Sequence, residues 1–168
     1  VLESYGQDRN RDGVVVVDDL SNAKADVIDR IETITGKRPA FYEMDCKDKD
    51  GLRKVFSEHK IDAIIHFAAF KAVGESVHKP IEYYSNNLNC TLTILDVMRR
   101  HDCHNFVFSS SATVYGYPAS LPITADFPTG NTTNPSGTTK VFPDPILTDV
   151  CQAAPSLHVA LLRDLNPT

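Results

Sequence analysis

The sequence lacks several features that would assign a class of function at once. None of its eight glycines forms a Gly-x-Gly pair, so the chain shows no glycine-rich turn of the kind that cradles phosphates in dinucleotide-binding sheets. Its four cysteines include no Cys-x-x-Cys pair, which suggests neither a disulfide framework nor a zinc site and favours a reducing cytosol. No apolar run approaches the ~20 residues that cross a bilayer. We therefore expect a cytoplasmic protein with no metal and no membrane partner.

The chain also lacks a large excess of either positive or negative charge. The chain carries 17 basic and 22 acidic residues, a net charge of -5, spread without long runs. This balance argues against nucleic acid or an anionic membrane surface as a partner. The length of 168 residues fits one domain, and 42% hydrophobic residues is enough for a sizeable core.

Short apolar runs alternate with helical periodicity along the chain. The runs, each predicted to be a buried strand, are residues 14–17, 40–44, 63–67, 106–109 and 159–162. A first helix is predicted over residues 27–34, ended by Gly36, and a second helix is predicted to begin after Asp48 as its cap. A third is predicted to begin at Pro80, because apolar residues recur at helical spacing at Tyr84, Leu88, Leu92, Leu95 and Met98. This alternation predicts an α/β fold with a mostly parallel, doubly wound sheet.

Two connections have a different character. Residues 71–79 are expected to form a loop before the long helix. Six prolines lie between residues 118 and 145, which predicts mostly loop there. Pro143 and Pro145 exclude an uninterrupted helix through residues 141–147, because each removes a donor and clashes with the preceding turn.

Polar groups follow two of the predicted strands. Asp18 and Asp19 end the first strand, where an acidic residue can accept hydrogen bonds from a ribose, although a solvated turn or a helix cap explains them too. Three serines at 109–111 end the fourth strand, where ligands bind in open α/β sheets, and the alternative is a turn that satisfies its own backbone. His66, within an apolar strand, is interpreted as a hydrogen-bonded core imidazole.

Several longer segments carry a family resemblance. They are Val16-Val17-Asp18-Asp19-Leu20-Ser21-Asn22, His66-Phe67-Ala68-Ala69-Phe70-Lys71-Ala72-Val73-Gly74-Glu75-Ser76, Tyr83-Tyr84-Ser85-Asn86-Asn87, and Phe108-Ser109-Ser110-Ser111-Ala112-Thr113-Val114-Tyr115-Gly116. They resemble the UDP-glucose 4-epimerases (UDP-galactose 4-epimerases), which are extended short-chain dehydrogenases/reductases. The resemblance implies that residues 1–168 form a partial, Rossmann-like NAD-binding domain, without the first strand, its glycine-rich turn or a C-terminal substrate domain.

The resemblance also implies a chemistry. These isomerases of galactose metabolism interconvert UDP-galactose and UDP-glucose with NAD, by removing and returning the hydride at C4 of the sugar. The implied partners are a UDP-sugar and a second copy of the chain, paired through the helix at residues 83–100. The loop at residues 71–76 disfavours a sister enzyme such as a nucleotide-sugar dehydratase.

Site residues transfer position by position from the resemblance. Those implied to bind the cofactor are Asp18, Asp19, Asn22, Asp45, Phe67, Ala68, Ala69, Lys71 and Asn86. Ser111 is implied to hydrogen-bond the reacting sugar hydroxyl, Asn166 to contact the substrate, and Lys140 to contact the nicotinamide ribose and favour a phenolate.

The catalytic pattern itself departs from the family. The family's Tyr-x-x-x-Lys reads Ser136-Gly137-Thr138-Thr139-Lys140, so an aliphatic hydroxyl replaces the phenol that acts as the base. The family's Arg-Tyr-Phe-Asn run reads Arg163-Asp164-Leu165-Asn166. These departures support an alternative function: an impaired or inactive epimerase-derived fragment, acting as a binding or interaction module or without function.

The substitution Ser136→Tyr tests whether the missing phenol is the sole defect. We expect the single variant not to restore the epimerisation of UDP-galactose above the level of the parent chain, because the glycine-rich turn and the uridine-binding half are also missing from the pattern. Ser136→Phe is the matched control, since it supplies the ring without the hydroxyl. Turnover gained by the Tyr variant over both the parent chain and the Phe variant would contradict this expectation.

Overall fold

The structure, a computed structural model, describes residues 13–163. The chain divides into two compact units, residues 1–60 and residues 61–168. Strands and helices alternate along both units. Among the described residues, no helix combines the length and the apolar character needed to cross a membrane.

The first unit is built on two parallel strands. Its elements are β1 (Val15–Asp18), α1 (Asp26–Thr35), β2 (Ala40–Glu43) and α2 (Lys49–Glu58). The register sets Val15 opposite Ala40 and Asp18 opposite Glu43, so both strands end at the same edge. Ile28 of α1 and the α2 residues Leu52 and Val55 are buried.

The helix ends of this unit form as the sequence predicts. Gly36 adopts a left-handed conformation with φ 70° and donates its N–H to the Glu32 carbonyl, which closes α1. The Asp48 side chain accepts a 3.0 Å hydrogen bond from the Gly51 N–H, which caps α2.

The second unit is built on three parallel strands in the order β3-β4-β5. Its elements are β3 (Ala63–His66), α3 (Val73–His78), α4 (Pro80–Arg100), β4 (Asn105–Ser109), a 3-10 helix (Ala112–Tyr115), α5 (Pro135–Val141), α6 (Pro143–Ala153) and β5 (His158–Leu162). The central strand β4 contributes the buried rings of Phe106 and Phe108. All five strands thus form where the sequence predicts them.

Helix α4 buries a face that the apolar pattern describes incompletely. Leu95 and Met98 are buried as expected, whereas Leu92 is 46% exposed. The polar side chains Asn87 and Thr91 are buried instead. Their burial is stable because both are hydrogen-bonded, a compensation that hydrophobic periodicity does not detect.

The loop predicted over residues 71–79 is wrong, because the structure has the short helix α3 there. Ser76 is fully buried, and its backbone N–H bonds to the Ala72 carbonyl while its hydroxyl bonds to the Val73 carbonyl. An ion pair of 2.9 Å between Lys79 and Glu75 closes the turn. The helix is therefore held by a small buried serine rather than by an apolar stripe.

The prolines interrupt the helical path as predicted, at Phe142 between α5 and α6. Pro143 begins α6, and Pro145 lies within its first turn. The N–H groups of a first turn have no partner within the helix, so both rings are accommodated there without loss of a hydrogen bond.

Gly116 gives a direct test of the packing after β4. Its φ is 57°, and an added Cβ would lie 2.5 Å from the Asn131 carbonyl oxygen. We expect Gly116→Ala to lower the free energy of unfolding by about 2–4 kcal/mol, since backbone strain and overpacking add. Gly74→Ala is the control, because an added Cβ there meets nothing within 4 Å. Chemical denaturation would show the difference, and equal stabilities of the two variants would contradict the packing described.

Candidate functional site

The carboxyl end of β4 carries the predicted serine cluster. The Ser110 backbone N–H bonds to the Leu162 carbonyl of β5 at 2.8 Å, and its hydroxyl bonds to the Lys140 carbonyl at 3.4 Å. The Ser111 hydroxyl accepts the Thr113 N–H at 3.3 Å and so caps the 3-10 helix. A serine hydroxyl has one donor and two acceptor positions, so this cap leaves the O–H donor of Ser111 for another acceptor.

Lys140 reaches the same strand end from helix α5. Its ammonium donates to the Ser109 carbonyl oxygen at 2.8 Å and lies 5.1 Å from the centre of the Phe108 ring. Burial of the side chain, with a smaller effect of the Lys71 charge, lowers the pKa of Lys140 to about 8. The ammonium can therefore exchange a proton, or stabilise a neighbouring anion, close to neutral pH.

The start of α5 fixes where Ser136 and Lys140 lie. The Asn134 side chain accepts the Gly137 N–H at 2.8 Å, and Pro135 occupies the first turn. Ser136 is buried and lies four positions before Lys140, a spacing that places both on one helix face. The structure thus brings together Lys140 and the strand end carrying Ser111, with Ser136 one turn before the lysine.

The segment after β3 is accessible. Phe67 is 65% exposed, Ala68 and Lys71 are exposed, and Ala69 is half-buried. Small exposed side chains allow a ligand to approach the backbone closely. Asn86, which the resemblance also assigns to the cofactor, is buried on α4.

Asn87, the next residue on α4, makes the contacts that sequence reasoning missed. Its side chain bonds to both the N–H and the carbonyl of Phe70, at 2.8 and 3.0 Å, and to the Thr139 hydroxyl at 2.8 Å. The sequence signal that could have indicated it is an asparagine at helical spacing among the residues of the buried face, because a buried amide needs hydrogen-bond partners.

His66 is a buried core imidazole, as the sequence predicts. Its Nε2 lies 3.1 Å from the Thr91 hydroxyl, and the rings of Phe106 and Phe108 pack around it. Burial, with a smaller effect of the Lys140 charge, lowers the pKa of His66 to about 4. The imidazole is neutral at physiological pH and carries no charge to the strand end.

In the first unit, Asp18 and Asp19 lie in one turn at the end of β1. Asp18 accepts the Leu20 N–H at 2.8 Å, and Asp19 accepts the Ser21 N–H at 2.9 Å. Hydrogen bonds from Ser21 lower the pKa of the Asp19 carboxyl. Asn22 follows and is exposed, while Asp45 follows β2 and forms a 3.2 Å ion pair with Lys47.

A second polar cluster at the end of β5 was not predicted. The Arg163 guanidinium pairs with Asp144 of α6 at 2.7 Å and donates to the Ala125 carbonyl at 3.2 Å. It also lies 5.6 Å from the centre of the Tyr115 ring. The cluster ties the end of β5 to α6 and to the segment after the 3-10 helix. Asn166 lies outside the described residues.

Comparison with known proteins assigns a family to this fold. The family model described as GDP-mannose 4,6 dehydratase matches residues 7–166. The chain belongs to this family. The α/β class with parallel strands, predicted from sequence, is confirmed by the strand pairing in this structure and by its similarity to solved epimerase structures.

Among curated relatives, the chain is similar to UDP-glucose 4-epimerases, as the sequence segments indicated. It is 49% identical to the enzyme of Haemophilus influenzae over 154 residues, which are 92% of this chain and 46% of the relative. The Drosophila melanogaster enzyme is 46% identical, with 92% of this chain and 46% of the relative covered. The chain spans about half the length of the curated relatives it matches.

Solved structures of UDP-glucose 4-epimerases agree with the fold. The UDP-glucose 4-epimerase of Bifidobacterium longum in complex with NAD+ and UDP superposes with a TM-score of 0.88 at 53% identity, over 89% of this chain and 45% of that one. The enzyme of Stenotrophomonas maltophila with bound NAD and formylated UDP-arabinopyranose gives 0.86 at 40% identity, over 90% and 45%. The resemblance recognised in the sequence is therefore confirmed.

Substitution of Lys140 tests the cost of its burial. Its folded pKa of about 8 lies below the ordinary 10.5, so at neutral pH the folded state holds the charge at a cost. Each pKa unit corresponds to about 1.4 kcal/mol, and the lost bond to Ser109 offsets part of this, so we expect Lys140→Met to stabilise the fold by roughly 1–2 kcal/mol.

The stabilisation expected for Lys140→Met depends on pH. Between the two pKa values the unfolded chain binds more protons, so wild-type stability rises with pH from about 8 to 10.5. The Met variant lacks this rise, and its advantage shrinks across the window. Chemical denaturation at several pH values measures it, with the exposed Lys54→Met as control. A destabilised Lys140→Met variant at neutral pH would show that burial does not dominate.

Proposed function

We propose that the chain is a UDP-glucose 4-epimerase-like protein that holds NAD and interconverts UDP-galactose and UDP-glucose. The observation that carries this proposal is the Lys140 ammonium at the carboxyl end of β4, bonded to the Ser109 carbonyl and beside the serine cluster. The epimerase relatives and the neighbouring structures with NAD support it. The relatives extend well beyond the matched half, so activity itself belongs to the proposal.

The residues of the second unit that are proposed to bind the cofactor include an accessible surface. Exposed Phe67 and Ala68 form an accessible surface with little side-chain bulk at the alanine, and Lys71 and Lys140 supply positive charge. In the first unit, the carboxylate of Asp18 is proposed to accept hydrogen bonds from the adenosine ribose, with Asp19, Asn22 and Asp45 in support. When bound, NAD would supply the acceptor that takes and returns the C4 hydride.

The chain's own residues would orient the sugar and bias its proton. Ser111 can donate its O–H toward the reacting sugar hydroxyl, because its cap to Thr113 uses only an acceptor position. The Lys140 ammonium favours a negative charge that develops beside it. A C4 oxygen held near both groups would lose its proton more readily than in water.

Ser136 favours a second candidate function. In the resemblance to the epimerases it corresponds to their catalytic tyrosine, and an aliphatic hydroxyl is a far weaker acid than a phenol, whose pKa is ~10. The second candidate is therefore a non-catalytic module that binds NAD or a UDP-sugar and contacts another protein. For both candidate functions we propose that the chain is cytoplasmic and that two copies pair through α4.

Titration of the purified chain with NAD by calorimetry tests the shared part of both candidates. We expect saturable, stoichiometric binding, weakened at least about tenfold in Lys140→Met, since a hydrogen bond to a charged group is lost. Lys54→Met removes an exposed charge from α2 and should leave the affinity unchanged. Absence of binding by a chain shown to be folded would overturn the proposal.

A coupled assay for UDP-glucose formed from UDP-galactose then separates the candidates. Slow turnover that is lost in Ser111→Ala would support the epimerase. NAD binding with no turnover would support the non-catalytic module. Turnover unaffected by either Ser111→Ala or Lys140→Met would contradict the site described.

A further inference from the structure

The Asn87 side chain uses its full hydrogen-bonding capacity. Its oxygen accepts the Phe70 N–H at 2.8 Å and the Asn86 amide at 3.2 Å. Its nitrogen donates to the Phe70 carbonyl at 3.0 Å and to the Thr139 hydroxyl at 2.8 Å. An amide has two acceptor and two donor positions, so all four are satisfied in a buried setting where each lost bond is costly.

These bonds join two segments that carry the lysines of the site. Phe70 immediately precedes Lys71, and Thr139 immediately precedes Lys140. The Thr139 hydroxyl in turn donates to the Ser136 carbonyl at 2.8 Å. One carboxamide on α4 therefore bonds to the neighbour of each lysine.

A second contact from α4 holds the other end of the same segment. The Thr91 hydroxyl donates to the Asn87 carbonyl at 3.1 Å and lies 3.1 Å from the His66 imidazole. Residues 66 and 70 are thus both tied to α4, one turn apart on the helix. The segment between them, with the exposed Phe67 and Ala68, is held at both ends rather than at one.

We propose that Asn87 is a positioning residue that holds the backbone of residue 70 against helix α5, and so fixes the backbone positions from which the Lys71 and Lys140 side chains extend. Lys71 and Lys140 are far apart in sequence, and Lys71 is exposed and follows a segment without regular structure, so without this link nothing local would relate the positions of the two residues. The relevance of this positioning to cofactor affinity rests on the function proposed above. The positioning itself does not.

The electrostatics of the two lysines provide a readout. The Lys71 charge contributes to the lowered pKa of Lys140, after burial, so the two ammonium groups interact in the folded chain. His66 also faces Lys140 and stays neutral. A change in the distance between the lysines therefore changes the Lys140 titration, whereas a general loss of stability leaves it unchanged while the chain stays folded.

A double-mutant cycle tests the proposal, with the Lys140 side chain titrated by NMR in the full chain. Lys71→Met should raise the Lys140 pKa in the wild-type background. In Asn87→Ala the pKa should already be raised, and adding Lys71→Met should shift it much less. Equal effects of Lys71→Met in both backgrounds would overturn the proposal.

Two further variants keep the test decisive. Thr139→Val removes the link from Asn87 to α5, together with the bond of Thr139 to the Ser136 carbonyl within α5, and leaves the bonds of Asn87 to Phe70 in place. It should weaken the coupling in the same direction, and it keeps the test available where Asn87→Ala does not fold. Asn89→Ala is the matched control, because Asn89 is exposed on the same helix and bonds only weakly to Ser85 at 3.3 Å. A control that uncouples the lysines as strongly as Asn87→Ala would also overturn the proposal.

The NAD titration separates this inference from the proposed function. Asn87→Ala should weaken NAD binding about tenfold, as loss of one to two buried hydrogen bonds implies. Coupled lysines in a chain that binds no NAD would support the positioning role and refute the function. Tight NAD binding by a chain whose lysines are not coupled would refute the positioning role and support the NAD-binding function.

Discussion

The contact of the partly buried Lys140 ammonium with the central strand β4 is the constraint that places helix α5 in the second unit. A cation taken out of water costs several kcal/mol unless polar groups replace its hydration. Here the Ser109 carbonyl and the face of the Phe108 ring replace part of it, and both belong to the central strand β4. Helix α5 must therefore approach the carboxyl end of β4 closely.

The polar face of α4 extends the same logic. Burial of Asn87 and Thr91 is tolerable only because the segment after β3 and helix α5 supply partners with good geometry. Each partner is in turn fixed by the bond it makes. The network therefore specifies one arrangement of three elements, where an apolar interface of similar area would accept small shifts.

Much of the fold could be predicted because it follows from local patterns. β-branched and aromatic runs mark the strands, and Gly36 and Asp48 mark helix ends through backbone geometry and capping. Helix α3 could not, since a buried serine holds it, and neither could the contacts of Asn87 or Arg163. Those depend on partners 17 to 52 residues away for Asn87 and 19 to 48 for Arg163, which no local window contains.

The replacement at Ser136 separates two properties that the site could otherwise combine. Lys140 keeps its costly position although the phenol whose charge it would stabilise is missing, and its contacts are to β4 rather than to residue 136. The position of the cation is thus set by the strand end and not by the proton-transfer group. Under the proposed function, cofactor binding and proton transfer would therefore rest on different residues, and a protein that binds without catalysing is compatible with this site.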